Sequence, residues 1–161
     1  LLTALAFAAG LTAGALIGPI TASRGGAMAA IRPQEPNPVA ALRSGHPADV
    51  LRVIDGDTFV ARVHVWPGMD ITTRVRLRGI DAPELHARCD DERLKALAAR
   101  DALVQLLAQG SVGISGVGQD KYGGRVDADV STARTANVSE ALFGGGDARR
   151  YSGGGRQRWC G

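Results

Sequence analysis

Aromatic residues make up only 4% of the 161-residue chain, which argues against a surface that holds single-stranded nucleic acid by stacking bases on many rings. Cysteine is as scarce. Two are present, Cys89 and Cys160, with no CxxC pair, so neither a disulfide-dense scaffold nor a thiolate zinc site is expected. The three histidines, His46, His64 and His86, lack the spacing of a metal site. The charge of +3, from Lys+Arg 19 against Asp+Glu 16, excludes a histone-like basic field, so any anionic partner has to be held by placed residues. At 45% hydrophobic and 22% charged, the composition is that of a globular domain rather than a disordered tail.

Residues 1–23 carry no charge, and the first basic residue is Arg24. Two readings stay open. A secretory signal needs an apolar core of roughly 7–15 residues followed by a small-x-small cleavage site, and Ala27-Met28-Ala29 supplies one. An uncleaved anchor needs about 20 apolar residues, and Gly10, Gly14 and Gly18 at a spacing of four suit close helix packing. Both readings export the rest of the chain: periplasmic or secreted in the first, tethered to the inner membrane and facing the periplasm in the second. An oxidising destination favours a Cys89–Cys160 bridge, and a loop of about 70 residues closed in this way is stabilised by roughly 4 kcal/mol.

Residues 30–47 contain Pro33, Pro36, Pro38 and Pro47 and read as a linker, with the folded domain over 48–161. Apolar residues with a turn at Asp55-Gly56-Asp57 give two strands between Val50 and Val65, the second carrying Phe59, Ala61, Val63 and Val65 in period-two alternation. After a turn at Pro67–Asp70, a third strand runs from Ile71 to Ile80, with Val75 and Leu77 on one face and Arg74, Arg76 and Arg78 on the other. Residues 90–109 read as a helix with Leu94, Leu97, Val104 and Leu107 as its apolar stripe and Gly110 just past its end. Short strands at Ser111–Val117 and Arg125–Val130 and a helix at Asn137–Phe143 follow, then a glycine-rich basic end. This order suits an α+β fold, a small barrel closed by helices, better than a doubly wound sheet.

Acidic residues gather at two turns that follow strands, Asp55-Gly56-Asp57-Thr58 and Asp81-Ala82-Pro83-Glu84. Oxygen ligands from two loops are what a hard cation such as calcium requires, and the arginine row leads straight into Asp81. Acid, metal and arginine together suit phosphodiester hydrolysis: cationic groups neutralise charge developing on phosphorus while a carboxylate activates water. Each turn alone is an ordinary loop or helix start. The runs Val53-Ile54-Asp55-Gly56-Asp57-Thr58, Arg76-Leu77-Arg78-Gly79-Ile80-Asp81-Ala82-Pro83-Glu84 and Asp120-Lys121-Tyr122-Gly123, in that order, resemble the signature blocks of the staphylococcal nuclease (thermonuclease) family.

The resemblance spans about Val50 to Tyr151 and implies a five-stranded OB barrel with about three helices. It implies a monomeric, calcium-dependent nuclease acting on DNA and RNA and leaving 3′-phosphates. Asp57 and Asp81 would bind Ca2+ through carboxylates and Ala82 through its carbonyl, Glu84 would be the general base, and Arg76 would hold the phosphate. Arg125 is the candidate second arginine, displaced by the extra Gly124, while Lys121, Tyr122 and Tyr151 match substrate-contacting positions. Arg74 and Arg78 read as a solvated strand face. Asp127 and Asp147 stand where the family has apolar residues, so a carboxylate is threatened with burial. The competing reading is a nuclease-like OB module that binds nucleic acid or another partner without cutting. Retention of Asp57, Asp81, Glu84 and Arg76 favours the enzyme.

Overall fold

A computed structural model describes residues 45–120 and 123–160. The leader or anchor expected over 1–29, most of the linker, and Lys121 and Tyr122 lie outside the described residues. Five strands close a barrel in the order β1-β2-β3-β6-β5, with β1 His46–Val53, β2 Thr58–Trp66, β3 Met69–Leu77, β5 Val112–Gln119 and β6 Arg125–Thr132. All pairings are antiparallel except β3 with β6. Ile80–Asp81 (β4) and Arg149–Arg150 (β7) form a separate two-stranded sheet. The expected OB-type barrel is present, with its first strand beginning two residues before the expected domain start.

Period-two patterning explains β2: Phe59, Ala61 and Val63 point inward and are buried, and they meet Val75, Leu77, Ile114 and Val130 in one core. The β2–β3 turn is tighter than expected, because Gly68 (φ +79°) takes the left-handed conformation that lets Met69 pair with Trp66. The third strand is shorter than expected. Gly79 (φ +80°) bends the chain after Leu77, so that Ile80 and Asp81 leave the barrel and pair with Arg150 and Arg149.

Two helices stand among the described residues, fewer than the three implied: α1 Asp90–Leu107 and α2 Val138–Gly145. Beyond α2 the described chain runs through β7 into an irregular strap, and Gly146, Gly153 and Gly154, all with φ between +81° and +102°, interrupt any helix there. The apolar stripe assigned to α1 is also corrected. Its buried residues are Ala96, Ala99, Leu103 and Leu107, while Leu94 is 62% exposed. Small residues face the barrel because the loop before β2 comes in close: a Cβ on Gly56 would lie 2.6 Å from the Cβ of Ala99 and 2.8 Å from that of Ala82. That contact draws the two acidic turns together. α2 starts on Asn137, whose side chain accepts from the Glu140 N–H at 3.1 Å.

Candidate active site

Both acidic turns and Arg76 converge at one end of the barrel. Backbone hydrogen bonds fix the first turn, with the Leu77 N–H donating to the Asp57 carbonyl at 2.8 Å and the Ile54 N–H to the Thr58 carbonyl at 2.9 Å. Asp57 is buried, and three donors satisfy its carboxylate: the Thr58 hydroxyl at 2.8 Å, Arg76 Nη2 at 3.0 Å and the Ala82 N–H at 3.3 Å. The second turn is thereby held against the first through its own backbone.

Arg76, the candidate phosphate-binding arginine, is buried rather than solvated. Its side chain is 7% exposed, and Nη2 also reaches the Ile80 carbonyl at 3.3 Å and Asp81 Oδ1 at 3.6 Å. Arg78 is not simply solvated either: its guanidinium staples β5 to β6 by donating to Asp129 Oδ2 and the Asp127 carbonyl, each at 3.2 Å, and to the Gly116 carbonyl. The staple sits where the β5–β6 ladder shifts register between Ser115 and Gly118.

Asp81 is buried, and its Oδ1 lies 2.9 Å from Nε of Arg156 without receiving an aligned hydrogen bond. Burial raises its pKa above the ordinary carboxylate value, against the pull of Arg156. Asp55, which accepts from the Asp57 N–H at 3.1 Å, is pushed up to about 6 by burial and by the Asp57 charge. The cluster therefore carries more buried negative charge than Arg76 neutralises. An all-oxygen set with excess negative charge has the chemistry a hard divalent cation requires, and Asp57 and Asp81 are the residues that could hold one. Cys89, Glu92 and Cys160 also bring ligand atoms within 4.8 Å of one another, but both thiols are joined in the Cys89–Cys160 disulfide.

A cavity of about 830 Å³ opens beside this cluster, walled by Arg76, Arg125, Asp120, Asp127, Tyr151 and Arg156. Gly123 and Gly124, both with positive φ, absorb the extra residue in the loop, so that Arg125 starts β6 opposite Arg74 and still reaches the cavity. Its Nε and Nη2 both lie 2.9 Å from Asp120 Oδ2. The Tyr151 ring lies 5.6 Å from the Arg76 guanidinium, and its hydroxyl donates to the Gly154 carbonyl at 2.8 Å. Asp127 stays out of the core, but the β5–β6 ladder shifts register beside it, between the Ser115–Asp129 and Gly118–Asp127 pairs. Asp127 pairs with Arg76 in the β3–β6 ladder and lines the cavity, with Oδ1 buried and without a hydrogen bond.

The family described as staphylococcal nuclease homologue matches residues 74–158. The chain belongs to that family. A search of curated proteins gives no match. The matched stretch contains Arg76, Asp81, Ala82, Glu84, Arg125 and Tyr151, whereas Asp57 precedes it and joins the site through the closed barrel. Among the described candidates, Glu84 is the most open, with a half-exposed side chain whose Oε1 contacts Arg156 Nη1. Arg156 and Asp120 are site residues that motif reading did not assign. Asp120 heads the Asp120-Lys121-Tyr122-Gly123 run, a signal that could find it, whereas Arg156 lies in a glycine-rich basic end without a motif.

Proposed function

We propose that this staphylococcal nuclease homologue is a calcium-dependent phosphodiesterase that cuts DNA and RNA and leaves 3′-phosphates. The observation carrying this reading is the buried Asp57–Arg76–Asp81 cluster, set between an arginine-lined cavity of about 830 Å³ that Arg76 walls and a neighbouring one of about 550 Å³ lined by Asp81 and Glu84, with Arg156 lining both. Asp57 and Asp81 through their carboxylates and Ala82 through its carbonyl would hold calcium, which would supply positive charge at the phosphate.

Glu84 accepts a proton from the water that attacks phosphorus, the P–O5′ bond breaks, and the departing 5′-oxygen takes a proton from solvent. The contacts of Arg76 to Asp57, Ile80 and Asp81 all run through Nη2. The rest of its planar fork serves the phosphate, where charge-assisted hydrogen bonds strengthen as negative charge builds. Arg125 adds positive charge to the cavity wall, and Tyr151 offers a ring to the sugar or base. The apolar leader or anchor supports action outside the cytoplasm, at the membrane only where that segment is retained.

The test is incubation of the purified protein with 5′-labelled DNA and RNA oligonucleotides, in calcium or in chelator. Cleavage is expected only with calcium, giving fragments whose mobility shifts after phosphatase treatment. Binding without cleavage of either polymer replaces the enzyme reading with the binding module.

A further inference from the structure

The strap from Tyr151 to Cys160 is pinned along its length. The Tyr151 N–H donates to the Gly79 carbonyl at 2.9 Å, and Arg149 donates to the Arg158 carbonyl at 2.9 Å while stacking 3.8 Å from the Trp159 ring. The bridge from Cys160 then fixes the strap to Cys89, the residue capping α1. Between these anchors Arg156 reaches both acids of the second turn, through Nε to Asp81 and through Nη1 to Glu84. It walls the 830 Å³ cavity and also a neighbouring one of about 550 Å³ bounded by Asp81, Ala82 and Glu84.

A guanidinium carries five N–H groups, and Arg156 meets the two carboxylates as ion pairs through Nε and Nη1, which leaves Nη2 to an incoming acceptor. Its side chain is 40% exposed, so an incoming anion has access to it. The anchors on either side oppose the motion expected of a mobile plug and suit a donor held in place before the substrate arrives.

We propose that Arg156 is a phosphate-binding residue of this site, donating to a non-bridging oxygen of the bound phosphodiester, and that the Cys89–Cys160 bridge is the device that positions it. The inference rests on the phosphodiesterase reading. Lost cleavage alone would not separate the two, so binding is measured as well.

The binding probe is a fluorescent single-stranded DNA 12-mer, titrated in chelator over a range of salt. Losing one phosphate contact lowers the slope of log K against log salt by about 0.7 in Arg156→Ala, while Arg156→Lys keeps the slope near the parent's. In calcium, kcat/KM falls roughly 10²-fold in Arg156→Ala and stays at least about 10-fold low in Arg156→Lys, because the fork is lost though the charge remains. Cys89→Ser/Cys160→Ser lowers kcat/KM in the same direction and adds no further loss in an Arg156→Ala background. An unchanged slope, or cleavage by Arg156→Ala equal to or faster than the parent's, overturns the proposal; the faster case identifies a plug. Additive losses overturn the positioning role of the bridge. If the bridge variant does not fold, the single Arg156 variants still decide. If the parent does not cleave at all, the phosphodiesterase reading falls while the salt slope still tests the arginine.

Discussion

Two arginine–carboxylate groups flank the same cavity, and they are built differently. In the first, Arg76 lies between Asp57 and Asp81 with all three side chains at most 7% exposed, and backbone or hydroxyl donors complete the shell of Asp57. In the second, Arg125 at 20% exposure engages Asp120, and Asp127, like Asp81 in the first, has a buried oxygen without a hydrogen bond. The first group joins distant segments, the second a loop and the strand that follows it. Removing one member should therefore unsettle the fold in the first case and mainly reshape the cavity in the second.

The largest effect is expected at Arg76. Arg76→Ala leaves the buried Asp57 carboxylate without its guanidinium and Asp81 with Arg156 alone, a change that costs about 3–5 kcal/mol, and it abolishes cleavage. Denaturant unfolding in chelator measures the first effect and oligonucleotide cleavage the second. Arg125→Ala should be distinctly milder in unfolding. Equal destabilisation by the two would erase the contrast between the groups.

Glu84 belongs to the first group chemically but not structurally, since its side chain is half-exposed and lines the neighbouring cavity. Glu84→Gln removes proton acceptance with little change in volume, so turnover should drop by roughly 10²-fold or more while the melting temperature and DNA affinity hold. Unchanged turnover would move the base elsewhere. Calorimetry separates the groups again: Asp57→Ala and Asp81→Ala should abolish the heat of calcium binding, whereas Asp127→Asn should keep it. Full cleavage in chelator would remove calcium from the mechanism.

The barrel was legible because β2 alternates and the turns carry glycine, so local pattern and tertiary position agree. The burial of Arg76 was not, because alternation sends it to the face opposite Val75 and Leu77. Gly79 then folds Asp81 back over that face, a long-range event that no period reports. The buried side of α1 was misread for a related reason. Its contacts are set by the close approach of Gly56 and Ala82, which selects Ala96 and Ala99 over the larger Leu94. Both acidic turns were readable as motifs, since their spacing is local. Arg156 was not, because its place depends on a disulfide spanning 71 positions and on a strap without regular structure.

The smallest expected effect, and the finest probe of the second group, lies at Asp127. Burial and the neighbouring Asp120 raise its pKa in the folded protein, with Arg76 and Arg125 opposing. Folding therefore favours the protonated carboxyl, and the sign follows from linkage. Well below the ordinary carboxylate value both folded and unfolded chains hold the proton, and the group contributes nothing. As pH rises through that value and on through the raised one, the unfolded chain releases its proton first, and stability declines to a constant penalty at neutral pH. Asp127→Asn removes this titration while keeping the shape. The variant should melt slightly above the parent at pH 7, with the difference vanishing toward pH 3, measured calorimetrically in chelator. A variant melting below the parent at pH 7 would mean that the arginines more than compensate the charge of Asp127, and the second group would then resemble the first.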